Sequence, residues 1–213
     1  MLDKARLTEL YNRLYSAYGP QHWWPAETPF EVMVGAVLTQ NTAWVNVEKA
    51  INKLKAADKL ALLPMTRMSE RRLADLIRPA GYFNVKARRL KAMCLWLETG
   101  GGIARLGRLS TDDLRVALLS VHGIGPETAD DILLYAFGRP VFVIDAYTRR
   151  LLQALGLCDG GESYEQLRRS FESVLDTDAA LFNEYHALIV RHAKERCTDS
   201  PECRHCSVER PLP

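Results

Sequence analysis

Helical periodicity runs through this 213-residue chain from one end to the other. Apolar residues recur three and four apart in FEVMVGAVLTQ, VNVEKAINKLKAA, SERRLADLIRPA, NVKARRLKAMCLWLET, TDDLRVALLSV, TADDILLYAF, DAYTRRLLQALG, SYEQLRRSFESVL and AALFNEYHALIVRHAKERC. That spacing puts an apolar stripe on one side of a helix, and such a stripe has to be buried against another element. Only VFVI at 141–144 reads as strand, and it leads straight into a helical pattern. The expected fold class is therefore all-α. Ser69 and Ser110 stand at N-cap positions, Gly81 and Gly100 to Gly102 where helices stop, and Pro79 and Pro126 where a turn or helix begins. The length allows one core or two small lobes, and the stretch from Gly100 to Ser110 is the expected crossing between lobes.

Charge excludes little. A formal net charge of +2 does not announce a nucleic-acid partner, because counterion release depends on a local patch. Patches are available at Lys86, Arg88, Arg89 and Lys91, at Arg149 and Arg150, and at Arg191, Lys194, Arg196, Arg204 and Arg210. Each alone is more often a solvated face. The opening MLDKARLTELYNRLYSAYG is amphipathic and lacks the apolar run of a signal peptide or membrane span, so no membrane partner and a cytoplasmic location are expected. Of five cysteines, Cys94 and Cys158 sit singly in apolar helical stretches and read as buried free thiols. Cys197, Cys203 and Cys206 crowd together as C-x5-C-x2-C, which in a cytosolic protein points to a metal rather than disulfides.

The most informative stretch is SVHGIGPETADDILLYAFGRPVFVIDAYTRR, residues 120–150. In His122-Gly123-Ile124-Gly125 two glycines flank an apolar residue, and Pro126 then opens a helix followed by Glu127 and Thr128. Ile124 can plug such a hairpin into a core. The turn is either a plain helix–helix connection or a set of free backbone N–H groups that grip a phosphate without reading sequence. Asp145 follows VFVI and starts the next helix. It reads as an N-cap, and an N-cap carboxylate is held ionised while still able to present an oxygen outward.

This stretch resembles the glycine-rich hairpin and catalytic aspartate of the helix-hairpin-helix DNA glycosylase superfamily, in its endonuclease III branch. The likeness continues in GAVLTQNT at 35–42, AGYFNVKARRL at 80–90 and HALIVRHAKERC, the helix leading to that family's iron–sulfur loop. It implies a two-lobed helical bundle with a C-terminal cysteine loop, a central lobe over 22–136 and a second lobe of 1–21 plus 137–213. It implies that DNA crosses the cleft between lobes, with Asp145 as the catalytic carboxylate. It implies that Gln40 and Tyr82 fill the gap left by an extruded nucleotide; alternatively Gln40 is an exposed helix end and Tyr82 packs on its lobe. His122, Gly123, Gly125 and Thr128 join them as DNA contacts. Bifunctional members carry a lysine two residues after the second hairpin glycine, whose amine forms a Schiff base. Here that residue is Glu127, which implies hydrolysis by activated water with no strand cleavage.

Trp23, Trp24 and Pro25 form a run with no helical period to bury it, and Trp44 follows the Gln40 segment. The arrangement resembles the bacterial 3-methyladenine DNA glycosylases of this branch. Trp23 and Trp44 match their stacking pair, Trp24 and Pro25 the wall, and Glu127 stands with the pocket; core packing is the other reading of the tryptophans. Methylation at N3 or N7 makes a purine cationic, and aromatic faces attract a cation by up to about 2 kcal/mol. The expected partner is double-stranded DNA with a damaged base, bound by a monomer. The resemblance implies a [4Fe–4S] cluster on Cys197, Cys203 and Cys206, but the fourth cysteine position is Leu212. Zinc or no metal are the alternatives, with His192, His205 or Glu209 as candidate fourth ligands. Rival functions are release of a mismatched or oxidised base, and a non-catalytic DNA-binding module.

Overall fold

The computed structural model describes residues 3–196, so the three clustered cysteines lie outside the described part. Twelve α-helices follow one another: α1 Lys4–Tyr18, α2 Pro29–Leu38, α3 Trp44–Ala56, α4 Leu62–Arg67, α5 Glu70–Leu76, α6 Phe83–Thr99, α7 Ile103–Leu106, α8 Thr111–Leu119, α9 Pro126–Asp131, α10 Ala146–Ala154, α11 Tyr164–Val174 and α12 Ala179–Arg196. No strand occurs among the described residues. Residues 26–137 make one compact unit, and the described residues before 26 and from 138 onward make the other. The stretch from Gly100 to Ser110, expected as a crossing, instead holds α7 within the first of these units.

The unit over 26–137 is built around α2. Every residue from Phe30 to Leu38 is buried, because α3, α6, α9 and the turn after α9 pack against it. A helix that is apolar on all sides has to be central in this way. Caps set the helix ends as the residue types dictate. Ser69 accepts from Arg72 N–H and Ser110 from Asp113 N–H, and Pro126 occupies the first turn of α9. Helix α9 runs on into a wider π turn, Ile132–Ala136.

In the other unit VFVI is buried but forms no strand. Two of its backbone donors go to side chains, Phe142 N–H to Glu172 Oε1 at 3.0 Å and Ile144 N–H to Tyr164 Oη at 3.5 Å, and Val141 N–H goes to the Arg139 carbonyl at 2.8 Å. Buried amides need a partner from some source, and here helix α11 and the residue that opens it supply them. Phe142 stacks on Phe171, 4.1 Å between centroids, and meets Phe182 and Tyr185 edge-on. Helices α1 and α10 both pack on α12, and Tyr185 Oη donates to the Leu7 carbonyl at 2.9 Å. Cys94 is buried as expected, whereas Cys158 is half-buried in the loop after α10, where the apolar stripe has already ended.

Candidate active site

Asp145 ends the buried VFVI run and caps α10. Its Oδ1 accepts from Thr148 N–H at 2.7 Å, which answers one of the unpaired donors of the first turn. Its Oδ2 lies 3.6 Å from His186 Nε2 of α12, beyond hydrogen-bond length but close enough for charge to act. The side chain is 14 % exposed. Burial pushes the carboxyl up, but the nearby His186 ring and the Thr148 N–H outweigh it and hold Asp145 below the usual carboxylate range. The result is an ionised, largely enclosed carboxylate, suited to stabilising nearby positive charge.

Lys194 of α12 reaches the same neighbourhood. Its Nζ lies 5.9 Å from the centroid of the Trp23 ring and 5.8 Å from that of Tyr147. Burial lowers the basicity of this amine, and the charge of Asp145 opposes the effect. Trp23 and Trp24 are tilted against each other at 5.5 Å and both are half-buried, while Pro25 is exposed. The sequence singles out Lys194 only as part of a basic patch, and His186 not at all. Both belong to the helical stripe of HALIVRHAK, eight residues apart and so on one broad side, which is the signal that could have found them.

In the other unit, Gly123 adopts φ +86°, and a Cβ there would stand 2.2 Å from Arg89 Cγ, so the position requires glycine twice over. Gly125 is extended, at φ −92°, with open space where a side chain would go. His122 and Glu127 are exposed, and Ile124 is buried as the plug. Gln40 is half-buried and fastened to the hairpin. Its Nε2 donates to the Gly123 carbonyl at 3.1 Å and to Thr128 Oγ1 at 2.9 Å, and Arg89 donates to its Oε1. Thr128 itself is buried. Tyr82 is 71 % exposed and left-handed, at φ +45°, a conformation that costs a non-glycine residue energy. Trp44 opens α3, half-buried.

The basic cluster at 86–91 is not one patch. Lys86 is 1 % exposed and donates to the carbonyls of Leu38 and Ala80, each at 2.8 Å, and to Thr42 Oγ1. Lys91 donates to the carbonyls of Met65, Thr66 and Met68, and Arg89 holds Gln40. Only Arg88 is exposed. These cations satisfy helix-end carbonyls rather than wait for phosphates. Arg115 pairs with fully buried Asp130 through two bonds of 2.7 and 3.0 Å, tying α8 to α9.

A family model described as the HhH-GPD superfamily base excision DNA repair protein matches residues 34–177. The chain belongs to this superfamily. A Methanocaldococcus jannaschii protein, provisionally assigned as a DNA repair glycosylase, is 45% identical over 204 residues, covering 94% of this chain and 93% of that one. The Helicobacter pylori 3-methyladenine DNA glycosylase MagIII, solved with 1,N6-ethenoadenine bound, is 31% identical at a TM-score of 0.78, covering 92% of this chain and 99% of that one. An endonuclease III–DNA complex superimposes at a TM-score of 0.81 over 98% of this chain and 94% of that one; at 21% identity the likeness is one of fold. This HhH-GPD chain is thus a DNA glycosylase of base excision repair in the endonuclease III branch. Among its described residues no group of His, Cys, Asp and Glu is arranged to hold a metal, and no helix is long and apolar enough to cross a membrane.

Proposed function

We propose that this glycosylase hydrolyses the N-glycosidic bond of an alkylated purine in double-stranded DNA, with Asp145 as the catalytic carboxylate. The observation that carries the reading is the ionised, 14 % exposed carboxylate at the start of α10, beside His186 and in the unit that holds Trp23 and Tyr147. Cleavage develops positive charge on the sugar, which a fixed carboxylate stabilises while it takes a proton from the attacking water. The target base is reached only by extruding its nucleotide. Trp23 and Trp44 carry the stacking role the resemblance implies, with Trp24, Pro25 and Glu127 beside the base. The exposed, left-handed Tyr82 supports its role as a wedge. Gln40 shares the wedge role after release from the hairpin, and His122, Gly123, Gly125 and Thr128 belong to the phosphate-gripping turn. Glu127 at the Schiff-base position supports hydrolysis without strand cleavage.

Cys197, Cys203 and Cys206 are read as ligands of an iron–sulfur cluster that staples the C-terminal loop. Thiolates are the right donors, and with Leu212 at the fourth cysteine position a non-thiolate ligand has to complete the set. His192, one candidate for it, is fully buried, with its Nδ1 bonded to Tyr18 Oη at 2.9 Å. No step of the hydrolysis runs through the cluster. A monomer acting on cytoplasmic DNA completes the reading.

The test is a panel of duplexes with single lesions, run on the wild type and on Asp145→Asn. Release of alkylated purines, lost by about a thousandfold or more in the variant while DNA binding persists, is expected. Release confined to oxidised or mismatched bases refutes the substrate class, and a fully active Asp145→Asn refutes the mechanism. Borohydride trapping on abasic DNA checks the absence of a Schiff base.

A further inference from the structure

We propose that Lys194 selects the alkylated bases this enzyme releases by their charge, its ammonium lying 5.9 Å from the Trp23 ring centroid and 5.8 Å from the Tyr147 ring centroid. The inference rests on the reading of Asp145 as the catalytic carboxylate. Aromatic faces attract cations, so a bare aromatic pocket favours purines already charged by methylation at N3 or N7. Here the chain's own cation occupies that position on two rings at once. Arg150 adds a second, with its guanidinium 5.3 Å from the centroid of Tyr147. A cationic base that enters meets like charge.

A neutral adduct meets the opposite situation. When its bond to C1′ breaks, the electron pair goes to the base, which has no positive charge of its own to receive it. A Lys194 N–H donated to a purine ring nitrogen stabilises that developing negative charge, a charge-assisted hydrogen bond in a partly enclosed site. Water supplies the oxygen that joins C1′, its proton passes to Asp145, and the departing base takes a proton from solvent. Asp145 opposes the effect of burial on Lys194 and so favours its charged form. Lys194 is exposed on α12, so changing it leaves the core intact. It thereby acts as a specificity-determining residue.

The experiment measures single-turnover release of a neutral base, 1,N6-ethenoadenine, and of a cationic base, 7-methylguanine, from otherwise identical duplexes. It compares wild type, Lys194→Met and Lys194→Arg. The neutral-to-cationic rate ratio is expected to fall about tenfold in Lys194→Met, a figure reduced for solvent screening. In Lys194→Arg, which keeps charge and donor, the ratio stays near the wild-type value. An unchanged ratio in Lys194→Met overturns the proposal, as does an equal loss on both substrates. A fall in Lys194→Arg as large as in Lys194→Met also overturns it, because shape rather than charge then sets the preference. A wild type that releases neither base refutes the alkylated-purine reading and the proposal with it, while the reading of Asp145 still stands or falls by Asp145→Asn.

Discussion

Lys86→Met weighs a buried ammonium against the hydrogen bonds that hold it. The Lys86 amine is enclosed between α2, the loop at Thr42 and the turn at Ala80, so it ties together the two segments that carry Gln40 and Tyr82. Burial, helped by the nearby charge of Arg89, pulls Lys86 from 10.5 to about 8. At roughly 1.4 kcal/mol per pKa unit, keeping the charge inside costs about 3 kcal/mol. Removing it deprives the Leu38 carbonyl of its donor, a loss of about 1–3 kcal/mol. The two effects nearly cancel at neutral pH, so the pH dependence decides between them. Between pH 8 and 10.5 the unfolded chain holds this proton and the folded chain has released it. The unfolded state then binds more protons, and the stability contributed by Lys86 rises with pH. The Met variant lacks the group, so the stability difference, wild type minus variant, should grow by about 3 kcal/mol between pH 7.5 and 10.5. Burial pushes the Cys94 thiol up to about 11, which destabilises both proteins as pH rises and cancels in the difference. Urea melts at a series of pH values measure it. A flat or shrinking difference would show that the acceptors hold the ammonium better than water does, and would refute the reasoning.

Arg115→Ala leaves the fully buried Asp130 carboxylate without its bidentate partner and should cost about 3–5 kcal/mol. A chemical melt that moves by less than 1 kcal/mol would show that other neighbours hold Asp130. Tyr82→Gly removes a side chain from a left-handed position and should stabilise the fold slightly, by up to about 1 kcal/mol. Base release from duplex DNA should fall all the same. If release is untouched, Tyr82 is not a wedge.

What could be read from the sequence, and what could not, divides by the range of the interaction. Helix ends are set by neighbours a few residues away, so Ser69, Ser110 and Pro126 were legible, as was Asp145 as a cap. The basic run at 86–91 was not legible, for the opposite reason. Its two lysines answer carbonyls on α2 and α4, far away in sequence, and composition cannot distinguish such a cation from one facing phosphate. Gln40 shows the same limit. Its position matched a wedge, while its amide is spoken for by Gly123, Thr128 and Arg89, which only the fold brings together. VFVI has the composition of a strand because it is buried on all sides, and Glu172 and Tyr164 make a sheet unnecessary.

On the proposed reading of Asp145, its cap connects fold and chemistry. A helix N-terminus gives a carboxylate two things that catalysis also needs: a fixed orientation and a lowered cost of ionisation away from water. Here Oδ1 is committed to Thr148, and His186 balances the second oxygen from a distance that leaves it short of a full hydrogen bond. A carboxylate bonded tightly on both oxygens would have little capacity left for a developing cation, and one bonded on neither would move. The intermediate arrangement, one oxygen held and the other loosely opposed, is the form in which a structural cap can also carry out hydrolysis.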